Sequence, residues 1–313
     1  MQFDAGAATL DVAQRIGPGL AKAAVAGRCC VDGQEQTVDL NHPLPGDCSL
    51  RILTKSDDDP DSLFVLRHSA AHVMAEAIVK VYPKAKLVYG PPLEDGFYYD
   101  IDLEESITPD AFERIETEMR RIIKEDRPFS RYEMPRDEAM AKLEAEKNRY
   151  KIDNAVRAEG DTLSFYVTGE NRGEDFEDLC RGPHVRSTGV IGAFQVRQIS
   201  AAYYRGDANE QSLQRVYGTA FYKKKSLLAH LARLEEAKKR DHRVLGKQLQ
   251  LYTTSPMVGS GLILWMPNGA IVRSLLEEFL KEELLKLGYN PVYSPHIGKS
   301  ELFHTSGHLP HYK

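Results

Sequence analysis

The segment from about Ser62 to Val81 constrains the chain most. It carries no proline or glycine, stops near Pro83, and reads as one helix. Its apolar stripe is Leu66, Ala70, Val73, Met74, Ala77, Ile78 and Val81. His68 and His72, four residues apart, share a face nearly opposite that stripe. Two readings are open: a solvated surface pair, or the floor of a pocket. Ala71, Ala75 and Val79 lie on the same side with little charge, which suits a pocket floor better than open water.

A second pair lies downstream in Asp178-Leu179-Cys180-Arg181-Gly182-Pro183-His184. Gly182-Pro183 cannot continue a helix, so the stretch is a turn presenting a thiol and an imidazole. Read blandly, this is a small buried cysteine beside an incidental histidine. Together with His68 and His72 it makes four donors that suit either zinc or nucleophile–base chemistry.

Composition removes several classes of function. The chain has 313 residues, 42% hydrophobic and 28% charged, enough for two or three cored domains. A net charge of −5 argues against a protein that coats nucleic acid non-specifically. Lys223–Lys225 and Lys238, Lys239, Arg240 and Arg243 form basic runs, read either as RNA contacts or as solvated faces. No apolar run approaches the roughly 18 residues of a membrane span. No basic segment followed by an apolar one opens the chain, so no signal peptide is expected. Four cysteines, Cys29, Cys30, Cys48 and Cys180, make no disulfide framework and suit a reducing cytoplasm.

Residues 1 to 56 read as a small α+β module: a helix Thr9–Ile16, then short strands near 24–28, 37–40 and 50–53. Lys55–Ser62 is acidic and polar and reads as a linker. Residues 62 to 222 form a larger α+β unit. Its second helix starts at Thr108-Pro109, with Thr108 as cap, and runs to about Glu125. A third covers about Arg136 to Arg149. Residues 223–242 read as a connecting helix with Leu227, Leu228, Leu231 and Leu234 as its stripe. From 243 a new unit begins, with a helix Ala270–Leu287, Gly288 as its stop, and a strand-like segment ending at Pro295.

At this point the residues resemble a known family. His68-Ser69-Ala70-Ala71-His72, Gly90-Pro91-Pro92, Gly96-Phe97-Tyr98-Tyr99-Asp100 and Cys180–His184 resemble the editing domain of bacterial threonyl-tRNA synthetases. So do Tyr204-Arg205-Gly206-Asp207 and Leu213–Ala220. Gly19–Gly27 resembles the family's ubiquitin-like TGS module. The tail, through Ser306-Gly307-His308 and Tyr312-Lys313, resembles the opening of its class II catalytic domain. The chain opens at Met1-Gln2-Phe3, partway into the module's usual first hairpin, which implies a missing edge strand.

The resemblance implies hydrolysis of Ser-tRNA(Thr). Threonine differs from serine by one methyl, worth about 1–3 kcal/mol of discrimination, so a second, hydrolytic site is required. It implies that His68, His72, Cys180 and His184 line the pocket, joined by Lys151, Asp178 and Tyr99. His68 or Lys151 would then orient or deprotonate the water, with the other histidines and Asp178 fixing the substrate. Cys180 as nucleophile ranks behind direct water attack. Whether the four donors hold zinc in this domain stays open. In the whole protein the resemblance implies ATP, Mg and a ligase-site zinc. The ligands of that zinc, the ATP-binding arginines of motifs 2 and 3, and an anticodon-binding domain would lie beyond residue 313. It also implies a tRNA(Thr) acceptor end as partner and a homodimer built on motif 1, with Pro295 as its proline. Two other readings compete: a freestanding trans-editing deacylase, which has no use for a class II segment, and a non-catalytic RNA-binding module.

Overall fold

The structure is a computed structural model and describes residues 1–311; Tyr312 and Lys313 lie outside the described residues. The chain is α+β with antiparallel sheets, and its contacts divide it into two units, Met1–Leu231 and Ala232–Lys313. The first unit opens with α1 (Thr9–Ile16) and α2 (Pro18–Ala23). Then come β1 (Ala24–Val31), β2 (Gln34–Asp39) and β3 (Ser49–Thr54), in the order β2-β1-β3. Asp32 and Gly33, both at positive φ, form the tight hairpin that an Asp-Gly pair favours. α1 lies so close to β1 that a Cβ on Gly27 would sit 2.1 Å from Thr9 Oγ1.

The polar stretch Lys55–Ser62 is a pinned turn rather than a free linker. Asp57 accepts from the backbone N–H groups of Tyr222 and Lys223 and from the Ser226 hydroxyl. Asp59 caps the following helix through Asp61 N and Ser62 N and pairs with Arg51. Asp61 pairs with Arg28 and Arg51. Partners distant in sequence fix the acids that local composition assigns to solvent.

α3 (Pro60–Val81) carries Pro60 at its first position, where a missing N–H leaves no orphan. Every residue from Ser69 to Ile78 is buried. The side bearing His72 is therefore buried too, with Phe64 and His68 partly open before it, and the amphipathic reading gives way to a central helix. Next in the chain are β4 (Lys86–Tyr89), β5 (Pro92–Leu93), β6 (Gly96–Asp102) and α4 (Phe112–Glu125). β7 (Phe129–Pro135), α5 (Arg136–Glu146), α6 (Arg149–Arg157), β8 (Thr162–Thr168) and β9 (Phe176–Leu179) follow. β10 (Ala193–Tyr203), β11 (Ser212–Phe221) and α7 (Lys224–Lys239) complete the series. α4 and the sheet β10-β11-β6-β4 pack against α3. Phe129 and Phe176, from the sheet β7-β8-β9, pack on the same core. Ala70, Ala71, Ala75 and Ala77 are small enough to let the neighbours approach.

Two helix assignments are corrected. Thr108 precedes a 3-10 turn, Pro109–Ala111, and its side chain makes no capping bond. The helix expected from Arg136 to Arg149 is α5, which stops at Glu146, and α6 is a further helix that begins only at Arg149. Lys147 ends the first at φ +56°, and Asn148 starts the second by accepting from Tyr150 N and Lys151 N. The break matters, because it sets Lys151 in the first turn of a new helix. Along α7 and beyond, Lys238 pairs with Glu235, Arg240 with Glu236 and Arg243 with Asp241, so this basic run is a solvated, internally neutralised face.

The second unit contains α8 (His242–Gln248), the short pair β12 (Tyr252–Thr253) and β13 (Leu264–Trp265), and α9 (Pro267–Lys286). α10 (Ser300–Thr305) and α11 (His308–His311) follow. The apolar face of α9 is uncovered: Leu275 is 61% exposed and Phe279 57%, with Leu276 and Leu284 similar. Gly288 follows α9 at φ +85°, as its stop signal requires. The segment expected as a strand up to Pro295 is irregular, and among the described residues it has no ladder partner. A lone extended segment has nothing to pair its backbone with.

One buried ion pair ties α3 to the segment entering β7. Glu76 Oε1, on a residue 2% exposed, accepts from Arg127 Nη2 at 2.7 Å and from Lys80 at 2.8 Å. Glu76→Ala should lower stability to urea by roughly 3 kcal/mol, the low end for breaking a buried pair, because Arg127 keeps Glu125 and the Thr168 carbonyl. A loss below about 0.5 kcal/mol would show that the pair does not hold these elements together.

Candidate active site

α3, the loop after β9, α6 and β6 bring the expected residues together. The rings of His68 and His72 stand 5.4 Å apart, and His184 lies 4.2 Å from the first and 4.3 Å from the second, centroid to centroid. The loop is held by Ser164, whose carbonyl accepts from Cys180 N and whose hydroxyl donates to the Cys180 carbonyl. Gly182 is required at its corner: φ is +75°, and a Cβ there would meet the Tyr166 hydroxyl at 2.0 Å.

Hydrogen bonding assigns the imidazole tautomers. His68 Nδ1 lies 3.1 Å from the Pro183 carbonyl, which only accepts, so Nδ1 carries the hydrogen and Nε2 is bare. The Ser69 hydroxyl donates to the Val65 carbonyl and therefore accepts from His184 Nδ1 at 3.2 Å, leaving His184 Nε2 bare as well. Both bare nitrogens point at Cys180 Sγ, at 3.3 and 3.4 Å. His72, 2% exposed, places Nε2 3.9 Å from Asp178 Oδ2, and its Nδ1 has no hydrogen-bond partner.

A second group adjoins the first. Asp178, buried on β9, binds the Lys151 ammonium with one oxygen and the Tyr99 hydroxyl with the other; Lys151 Nζ is also 3.2 Å from Tyr99 Oη. Burial pushes the Asp178 carboxyl up, but Lys151, His72 and the hydrogen bonds from Lys151 and Tyr99 outweigh it and hold the group below the usual carboxylate value. Burial lowers His68 to about 4 and His72 to about 3. His184 falls well below its ordinary value through burial and its two neighbouring imidazoles. Burial raises the Cys180 thiol to about 12, and burial with Asp178 holds the Tyr99 phenol well above its ordinary value. Near neutral pH the site therefore holds neutral imidazoles, a protonated thiol and one paired carboxylate.

These residues face a cleft of about 600 Å³. His68, His72, Tyr99, Lys151, Asp178 and Cys180 line it. His184 does not. It stands one layer back, enclosed by Phe129, Tyr166 and Ser69, so the expectation that it lines the pocket is corrected. Ser69, Tyr166 and Asp39 escaped sequence reasoning. Ser69 lies inside the His-Ser-Ala-Ala-His run, but nothing local marks its hydroxyl as a tautomer-setter, and Asp39 belongs to the front module. The donor atoms of His68, His72, Cys180 and His184 lie within 4.8 Å of one another, and two of the imidazoles turn bare nitrogens inward. That set fits a zinc ion, with the Pro183 carbonyl and Ser69 as outer partners of two ligands.

The lowered imidazoles make stability pH-dependent. In the unfolded chain each histidine titrates near 6.5, while in the fold these three stay neutral well below that. Unfolding then takes up protons, so stability is fully present above about pH 6.5 and is lost as pH falls toward about 4. Urea denaturation should show a loss of about 2 kcal/mol or more between pH 7 and pH 5. The triple variant His68→Gln, His72→Gln, His184→Gln should flatten that slope. A parental slope already flat would mean that the imidazoles charge freely.

Comparison with known proteins agrees with this build. Residues 1–54 match the TGS domain, and residues 164–217 match the Threonyl and Alanyl tRNA synthetase second additional domain. The second match contains Asp178, Cys180 and His184 and excludes α3 and α6. The threonine–tRNA ligase of Geobacillus kaustophilus is 49% identical over 100% of this chain and 46% of its own length. That of Rhodopirellula baltica is 48% identical over 99% of this chain and 41% of its own. That of Bacillus subtilis, threonine–tRNA ligase 1, is 44% identical over 100% and 47%. The chain spans about half the length of the curated relatives it matches. None of the described helices is long and apolar enough to cross a membrane. With a ubiquitin-like TGS module ahead of the second additional domain, and ligase similarity along its whole length, the chain belongs to the threonyl-tRNA synthetase family.

Proposed function

We propose that this chain hydrolyses serine from mischarged Ser-tRNA(Thr), within a protein that as a whole ligates threonine to tRNA(Thr) using ATP and Mg. The observation that carries the reading is the cleft: neutral imidazoles and a protonated thiol beside a charged, anchored Asp178–Lys151 pair. A thiol raised to about 12 holds almost no thiolate near neutral pH, which supports water over Cys180 as the nucleophile. His68 Nε2 receives a proton from the water as oxygen attacks the ester carbonyl, and returns it to the ribose oxygen as the ester C–O bond breaks. Lys151 donates to the carbonyl oxygen as it gains charge. Asp178 faces the seryl ammonium, Tyr99 and Lys151 fix the carboxylate's direction, and His72 stands beside it at 3.9 Å. Zinc held by His68, His72, Cys180 and His184 would have its four positions filled by protein and would occupy the His68 Nε2 lone pair, so it would supply a structural clamp and not the base of this route. The freestanding deacylase reading is not favoured, because the ligase similarity continues through α9. A non-catalytic RNA-binding module would have no use for so closely built a cleft.

We further propose the division into residues 1–56, 62–222, 223–242 and 243–313 as TGS module, editing domain, connecting helix and class II start. The exposed face of α9 would meet a second copy in the whole protein, tRNA(Thr) would present its acceptor end to the cleft, and the compartment would be the cytoplasm. The four free cysteines accord with that compartment.

These 313 residues should deacylate Ser-tRNA(Thr), spare Thr-tRNA(Thr), and form no threonyl-adenylate in pyrophosphate exchange. Cys180→Ala and His72→Ala should each lower the deacylation rate at least about tenfold with little change in tRNA affinity, which phosphate contacts dominate. Parental rates in both folded variants would place the chemistry elsewhere.

A further inference from the structure

Asp39 ends β2 in the front module, yet both of its carboxylate oxygens bind residues in the layer behind the cleft. Oδ1 accepts from the His184 backbone N–H at 2.7 Å. Oδ2 accepts from the Tyr166 hydroxyl. Tyr166, on β8, is 1% exposed. Its ring stands edge-on to the His184 imidazole at 4.4 Å, and its hydroxyl occupies the space where Gly182 lacks a side chain. One carboxylate therefore grips the last residue of the Cys180–His184 loop and the ring that buttresses the loop's corner. His184 in turn directs Nε2 at Cys180 Sγ, 3.4 Å away.

We propose that Asp39 is a positioning residue for hydrolysis, so that the TGS module completes the frame of the editing cleft instead of serving only as a separate appendage. This rests on the hydrolytic reading above. Removing the carboxylate leaves a buried hydroxyl and a loop N–H without their acceptor, and the corner must shift to recover partners. Shifts of about 1 Å at a reacting centre cost up to about 10²-fold in rate. The substrate-binding groups on α3, α6 and β6 do not touch Asp39, so binding is spared.

The test uses the full chain. Asp39→Ala should lower kcat for Ser-tRNA(Thr) at least about tenfold with KM within about twofold, the signature of lost positioning rather than lost binding. Asp39→Asn keeps an oxygen for His184 N–H and an amide for the Tyr166 hydroxyl, and should restore kcat to within a few-fold of the parent. Tyr166→Phe should lower kcat, and its combination with Asp39→Ala should be less than additive. Histidine-labelled NMR supplies a readout independent of turnover: the His184 ring nitrogens should shift in Asp39→Ala. If Asp39→Ala does not fold, Tyr166→Phe carries both readouts. Parental kcat together with unmoved His184 signals in a folded variant overturns the proposal. A parental chain that hydrolyses nothing overturns the hydrolytic reading instead, and the NMR comparison alone then decides whether Asp39 positions His184.

Discussion

A buried helix must satisfy what it carries from its neighbours, and the central stretch of α3 is such a helix. Ser69 to Ile78 are buried without a break, so His72, Glu76 and Ser69 each depend on a chosen contact rather than on water. Glu76 meets Arg127, Ser69 meets the His184 ring, and His72 meets the Asp178 side of the cleft. Burial is also what strips the imidazoles of charge. The chemistry available in the cleft is thus set first by the packing around one helix, and only then by the identity of the polar groups.

The Asp178–Lys151 pair is the counterweight. A lone carboxylate this deep would take up a proton, but an ammonium on one oxygen and a phenol on the other keep it charged. Asp178, Lys151 and Tyr99 come from β9, α6 and β6, which are far apart in sequence. Their convergence depends on the break at Lys147, since a helix running on from α5 would not present Lys151 from a first turn.

Much of this was legible before any coordinates. The His68–His72 spacing, the turn at Gly182-Pro183, the hairpin strands of the front module and the two long helices follow from local periodicity and from proline and glycine chemistry. The family resemblance implied Lys151, Asp178 and Tyr99 beside the four donors, and the three do share the cleft with His68, His72 and Cys180. What could not be read was non-local. The second wall over α3 comes from residues 129 and 176, the partners of Asp57 lie at 222–226, and Asp39 reaches residues 166 and 184. The strand expected before Pro295 failed for the same reason: a strand exists only with a neighbour, and a single segment does not announce one.

The inward-facing nitrogens of His68 and His184 share the single hydrogen of the Cys180 thiol. The cluster is therefore odd in its count, with two lone pairs waiting and one hydrogen to give. Whichever way the S–H points, one nitrogen is left without that hydrogen, and His68 Nε2, on the cleft wall, is the one a guest can reach. A guest that brings a hydroxyl or a water into contact with that acceptor makes the count even, and a guest of bare carbon leaves it odd. Serine and threonine both bring a hydroxyl, so this count admits either and leaves the choice between them to shape.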